Sequence, residues 1–264
     1  MLSNLLVPIV LTLLAGLATG VGSLIGLFVK SVSPGFLRLM LGFSAGVMLY
    51  VSFTELLGTG IATLGFVGGN LAFFGGIAFI ALLDTLIPHE FLAEKIPLKE
   101  GGAGKHVLRA GMLTAIGLMI HNFPEGMAVF ASSAANVKLG IALAVAIAIH
   151  NIPEGIAVSL PIYAATGNRR LAFGVSLLSG LAEPLGALLA GWWIILLPTG
   201  VREAVMGGML AGVGGLMTFI SFDEILPLSY HREPGQQETK LAHEAILGII
   251  GGMLVMALSL ALFQ

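Results

Sequence analysis

Apolar residues run along this chain in stretches of twenty or more, about the length a helix needs to cross a bilayer core of about 30 Å. Eight such stretches predict helices: Leu5–Val29, Pro34–Leu57, Leu64–Ile87, Val107–Ser132, Leu139–Tyr163, Ala172–Leu197, Ala204–Leu226 and Ala245–Phe263. Polar residues gather in the connections. The two longest, about 88–106 and 227–244, hold a large share of the charges. The first apolar run is too long for a signal segment and has no basic residue before it, so it reads as a spanning helix. The whole chain, 1–264, reads as one transmembrane domain with no soluble domain attached.

Composition agrees. The chain is 57% hydrophobic and 10% charged, with a mean hydropathy of +1.01. A soluble domain carries about 25% charged residues. With so little charge the chain cannot cover a water-facing surface, so it is an all-α integral membrane protein with the lipid bilayer as partner. No nucleic-acid partner is expected. Cysteine is absent, which excludes disulfides and thiolate metal sites. The 37 glycines favour close helix packing in lipid. Four pairs have small-xxx-small spacing: Gly22/Gly26, Gly42/Gly46, Gly208/Gly212 and Gly248/Gly252. In so glycine-rich a chain, chance explains any one of them.

The basic residues set an orientation. Ten of the 12 Lys and Arg fall on the odd-numbered connections, including Lys30, Arg38, Arg169, Arg170, Arg232 and Lys240. Only Lys138 and Arg202 fall on even ones. Odd connections therefore face the cytoplasm and both termini face outward.

The candidate chemistry lies in a six-residue pattern that occurs twice. The fourth stretch holds His121-Asn122-Phe123-Pro124-Glu125-Gly126; the fifth holds His150-Asn151-Ile152-Pro153-Glu154-Gly155. On a helix, residues three or four apart share a face. Each copy thus directs an imidazole, an amide oxygen and a carboxylate to one point. Those donors suit a borderline divalent cation such as Zn²⁺ or Fe²⁺. Pro124 and Pro153 cannot donate to the carbonyls of Ile120 and Ile149. In lipid, freed carbonyls need partners, so kinked helices with loosened backbone lining a polar cavity are expected.

Other ionisable residues lie at further depths: Glu55, Asp84, Glu183, Asp223 and Glu224. Each costs about 2.5 kcal/mol or more inside a membrane. No Lys or Arg lies at mid-depth to neutralise them. A transported cation resolves that excess of carboxylates. Glu183, in Ala182-Glu183-Pro184, adds a third carboxylate to the central four His and Glu. Glu55 either attracts cations at an entrance or sits at the headgroup boundary. His89 and Glu90, with Asp223 and Glu224, form either an exit path or a solvated interfacial cluster. Asp84 is either an exit-path carboxylate or a packing group. Met48 is a candidate soft ligand, although on the residue alone apolar packing is the plainer reading. The metalloprotease pattern His-Glu-x-x-His is absent.

These residues resemble the ZIP family of zinc and iron permeases, most of all its compact bacterial ZupT-type branch. The likeness rests on the paired His-Asn-x-Pro-Glu-Gly motifs, on Ala-Glu183-Pro-Leu-Gly and on Gly-Phe-Ser-Ala-Gly in the second helix. It implies eight transmembrane helices in an inverted 3+2+3 arrangement with extracytoplasmic termini, and a homodimer. By motif, Met48, His121, Glu125, His150 and Glu154 match one metal site. Asn122, Glu125, Asn151, Glu154 and Glu183 match a second, bridged by the two central glutamates. Glu55 matches an entrance position, and His89, Glu90, Asp223 and Glu224 an exit path. The chain lacks the His-rich loop of many members, having only His89 and His106 there.

The expected function is movement of Zn²⁺ into the cytoplasm by alternating access, with Fe²⁺, Mn²⁺, Co²⁺ and Cd²⁺ as further candidates, in a multi-pass protein of the cell (inner or plasma) membrane. The rival readings are an intramembrane zinc-dependent hydrolase using the same residues, and a metal-stapled or metal-sensing membrane protein. Transport is favoured because polar residues occur at several depths.

Overall fold

The computed structural model describes residues 3–28, 34–86, 96–98, 104–194, 196–230 and 238–263. Among these residues the chain is helical, with no strand. The helices are α1 (Ser3–Phe28), α2 (Pro34–Val51), α3 (Leu57–Leu86), α4 (Gly104–Ala135), α5 (Val137–Thr166), α6 (Arg169–Gly180), α7 (Ala182–Ile194), α8 (Thr199–Ile220), α9 (Leu226–Ser229) and α10 (Glu238–Phe263). Two π turns, Ser52–Leu56 and Ser221–Ile225, link α2 to α3 and α8 to α9.

Lipid offers no water to backbone polar groups, so each crossing segment closes its hydrogen bonds internally. Six helical segments are long and apolar enough to cross: Leu6–Phe28, Arg38–Leu82, Val137–Thr166, Arg169–Leu189, Thr199–Asp223 and His243–Leu262. The chain is therefore a multi-pass membrane protein. α4 is comparably long, at 32 residues, but less apolar, and it carries the first polar motif.

The 45-residue segment Arg38–Leu82 does not run straight. Gly65 has φ 74° and ψ 167°, far from helical values. A Cβ placed on Gly69 would lie 2.7 Å from the backbone nitrogen of Ile61. In a straight helix those two residues would be about 12 Å apart along the axis. The chain thus doubles back at Gly65. This corrects the expected connection between Leu57 and Leu64. Helix continues through the π turn up to the glycine, because no earlier residue takes the left-handed backbone that a reversal needs.

The expected single helix Ala172–Leu197 is interrupted at Leu181, between α6 and α7. Pro184 has no N–H for the carbonyl of Gly180. Gly16 of α1 passes that carbonyl so closely that a Cβ there would lie 2.3 Å from the oxygen. Pro124 and Pro153, by contrast, sit inside helices that run on without a break. Long flanking turns packed against neighbours hold α4 and α5 through their prolines. Described helix enters both stretches read as long connections. α4 begins at Gly104, α9 covers Leu226–Ser229, and α10 begins at Glu238.

Asn136 alone separates α4 from α5. Its Oδ1 accepts from Lys138 N at 2.9 Å and Leu139 N at 3.5 Å, capping α5. Asn122 lies fourteen residues before this turn and His150 fourteen after it, so an antiparallel pair brings the two motif copies to one depth. Elsewhere the closest packing is α3 on α8, α1 on α5, α2 on α10 and α4 on α7. Gly22, Gly42, Gly46, Gly248 and Gly252 each meet a backbone carbonyl of the facing helix, where a Cβ would lie 1.9–2.3 Å from the oxygen. The Gly42/Gly46 and Gly248/Gly252 spacings are therefore packing contacts and not chance, whereas a Cβ on Gly26 would first meet the side chain of Ser159, at 3.3 Å. Gly208 and Gly212 have only ordinary neighbours, at 3.6 Å. Arg38, read from sequence only as an orientation signal, is buried and pairs with Glu244 of α10 at 2.8 Å.

Candidate metal centre

The α4–α5 pair supplies the core of the site. His150 Nε2 lies 3.1 Å from Glu125 Oε1, so the imidazole of one motif copy pairs with the carboxylate of the other. Glu154, one turn beyond His150, accepts a hydrogen bond from Ser44 Oγ of α2 at 3.2 Å. The same hydroxyl lies 3.9 Å from Met48 Sδ, which brings the thioether beside the second carboxylate. All of these side chains are buried.

The asparagines use their amide nitrogens to hold neighbouring helices. Asn122 Nδ2 donates to the carbonyl of Ser179 at 3.0 Å, just before the α6–α7 break. Asn151 Nδ2 donates to the carbonyl of Ala15 at 2.9 Å and to Glu183 Oε1. With the nitrogens so engaged, Asn122 Oδ1, Asn151 Oδ1 and Glu183 Oε2 are left buried with no hydrogen-bond partner among the described residues. An unsatisfied buried oxygen costs about 1–3 kcal/mol. Three such oxygens, one each on α4, α5 and α7, are acceptors that a cation satisfies and a hydrogen-bond acceptor does not.

The glycine that ends each motif copy has a part in this. A Cβ on Gly126 would lie 1.8 Å from the carbonyl oxygen of Glu183, and one on Gly155 would lie 1.9 Å from that of Thr19. Gly126 thus lets α7 carry Glu183 up to α4, and Gly155 lets α1 close on α5. The sequence has no Lys or Arg between Arg109 and Lys138, between Lys138 and Arg169, or between Arg170 and Arg202. The helices that hold these carboxylates therefore bring no fixed positive charge to mid-depth.

The structure therefore pairs His150 with Glu125, sets Met48 and Glu154 on either side of Ser44, and joins Asn151 to Glu183, while Asn122 holds the carbonyl of Ser179 four residues before Glu183. The backbone of His121 lies in α4 beside Asn122. Its side chain lies outside the described residues, as do those of Asp84 and Glu224 and the whole of His89 and Glu90. Glu55 is half-buried in the first π turn, about two turns beyond Met48. Asp223 is exposed in the second π turn. Among the described residues no three His, Asp or Glu side chains close into a metal cage by themselves.

Two features went unread in the sequence. Ser44 stands one turn before Met48 and gave no signal as a lone serine. The π turns do carry a signal: Gly46-Val-Met-Leu-Tyr-Val-Ser52-Phe-Thr-Glu55-Leu-Leu57 aligns with Gly215-Leu-Met-Thr-Phe-Ile-Ser221-Phe-Asp-Glu224-Ile-Leu226. The π turn falls on the same residues of each copy.

A family model described as ZIP Zinc transporter matches residues 88–260. The chain belongs to the ZIP zinc transporter family. It is 50% identical to the Zinc transporter ZupT of Chlorobaculum parvum over 277 aligned residues, spanning all of both chains. It is 47% identical to the Zinc transporter ZupT of Streptococcus mutans, again end to end, and 48% identical to that of Lysinibacillus sphaericus over 98% of each chain. ZIP proteins are transporters, so this ZIP chain is not an enzyme, and the hydrolase reading is without support.

Proposed function

We propose that this ZIP protein carries Zn²⁺ into the cytoplasm through the buried His, Asn and Glu centre, with Fe²⁺, Mn²⁺, Co²⁺ and Cd²⁺ as further candidate substrates. The observation that carries this reading is the buried pair of His150 and Glu125, with Asn122 Oδ1, Asn151 Oδ1 and Glu183 Oε2 on α4, α5 and α7 buried and without hydrogen-bond partners among the described residues. That donor set serves a divalent ion of intermediate softness.

The steps follow from depth. A cation drawn in at Glu55 sheds water and is received by Met48, His121, Glu125, His150 and Glu154. It is shared with Asn122, Asn151 and Glu183, and both motif glutamates offset its charge in a low-dielectric interior. It leaves along Asp84, His89, Glu90, Asp223 and Glu224. Transport requires that binding be weak enough to release. Alternating access then comes from one packed unit sliding against another.

The packing supports an inverted repeat. α2 meets α10 as α8 meets α3, and α1 meets α5 as α7 meets α4. Counting the Gly65 hairpin as two passes, α4 as one and α6–α7 as one broken pass gives eight, with both termini outside. The Arg38–Glu244 pair fits this topology, since it ties the N-terminal turns of α2 and α10 to one side of the membrane. The protein is proposed to work as one domain, 1–264, in the cell inner membrane, with a second copy as a candidate partner.

Expression in cells stripped of their own zinc uptake tests the proposal. Cell zinc content should rise in zinc-poor medium. Unchanged content, with the protein folded in the membrane, would count against it.

A further inference from the structure

We infer that Ser44 is a positioning residue of the metal centre, which holds the Glu154 carboxylate and the Met48 thioether in register for an incoming cation. The inference rests on the transport reading above. A serine or threonine inside a helix commonly returns its hydroxyl to a carbonyl one turn back. Ser159, Ser221 and Thr218 do so here, at 2.7, 2.7 and 2.8 Å. The hydroxyl of Ser44 reaches across to α5 and donates to Glu154 Oε1 at 3.2 Å, with Met48 Sδ 3.9 Å away. Ser44, Met48 and Glu154 are all buried.

One hydroxyl thus stands between a donor from α2 and a donor from α5. Ser44 and Met48 share a helix face by their spacing of four, so the serine sits where the thioether enters the site. The terminal torsion of a glutamate is broad, so each hydrogen bond to the carboxylate narrows it. A hydrogen bond to Oε1 fixes the plane of the carboxylate, and it ties that plane to the helix that brings the sulfur. Removing the hydroxyl leaves both ligands in place and takes away their common reference. The loss falls on capture of the ion more than on the later conformational step. The position also bears on choice of metal, because a softer atom at residue 44 would sit beside an existing soft donor.

Initial rates of Zn²⁺ and Cd²⁺ uptake by the full chain in proteoliposomes test this. Ser44→Ala should raise the KM for Zn²⁺ about tenfold, the loss expected for one hydrogen bond to a charged group, with Vmax within about twofold. Ser44→Thr, which keeps the hydroxyl, should restore the KM. Ser44→Cys should shift the ratio of Cd²⁺ to Zn²⁺ uptake toward Cd²⁺. An unchanged KM in Ser44→Ala, or a fall in Vmax alone, would overturn the inference. Should Ser44→Ala fail to fold, Ser44→Cys decides, and an unchanged metal ratio overturns it. No uptake by the wild type would overturn the transport reading itself, and the role of Ser44 with it.

Discussion

Gly126 of the first motif faces the backbone carbonyl of Glu183 so closely that a Cβ would lie 1.8 Å from its oxygen. The last residue of the motif is therefore part of the site without being a ligand: it sets how near α7 can bring the third carboxylate. Gly126→Ala should push α7 outward. An overpacked contact of this kind costs about 1–3 kcal/mol. The variant should unfold at lower temperature in detergent and take up Zn²⁺ poorly. Gly208→Ala, whose Cβ would meet only Leu64 at 3.6 Å, should leave both readings near wild type.

Gly65 is a different kind of glycine. Nothing lies within 4 Å of a Cβ built there, yet its φ of 74° is one that other residues rarely adopt. Gly65→Ala should therefore destabilise through backbone strain alone, by about 1–3 kcal/mol. Gly58 also has open space around it but sits in regular helix, so Gly58→Ala should be neutral or slightly stabilising. Thermal unfolding of the two variants side by side checks this. Equal effects would contradict the hairpin.

Asn151 ties α5 to α1 and α7 through one amide nitrogen. Asn151→Leu keeps the approximate volume but leaves Glu183 Oε1 and the Ala15 carbonyl without that donor. A cost of about 1–3 kcal/mol follows. The substitution also removes Asn151 Oδ1, one of the three open oxygens. Zinc should raise the unfolding temperature of the wild type by mass action and raise that of Asn151→Leu distinctly less. An equal zinc shift in both would remove Asn151 from the site.

The pair of Arg38 and Glu244 clamps the start of α2 to the start of α10. Arg38 is buried and Glu244 is partly exposed, so the pair stands between surface and interior cases. Arg38→Ala should cost about 1–3 kcal/mol, below the range for a fully buried pair and above that for a surface one. Glu244→Ala should cost at least as much, because it leaves the buried guanidinium without that partner. Thermal unfolding of both variants gives the order.

Most of the helices were legible in the sequence, as were the residue pairs His150 with Glu125 and Asn151 with Glu183 that the fold brings together. Apolar length marks a spanning helix because lipid leaves the backbone no alternative. The doubled motif marks the site because ionisable groups are costly there. What stayed hidden depends on partners that one-dimensional pattern does not show. Pro124 and Pro153 are expected to kink their helices, and α4 and α5 run through them without a break, while Pro184 acts with Gly180 and the passing α1 to make one. Gly65 looked like any of its neighbouring glycines until the chain turned on it. Ser44 acquires its role only when α5 lies alongside α2. The two Ser-Phe-x-Glu segments were legible as a repeat, though their shared π turn depends on backbone packing that residue type alone does not fix.

The central claim is that a cation passes through the buried centre and is not merely held there. Proteoliposomes loaded with a zinc-sensitive dye and carrying the wild type or Glu154→Ala test it directly. The account predicts saturable, time-dependent Zn²⁺ accumulation by the wild type and none by a folded Glu154→Ala. Zinc that binds the wild type tightly yet never reaches the lumen, with or without a proton gradient, would contradict it.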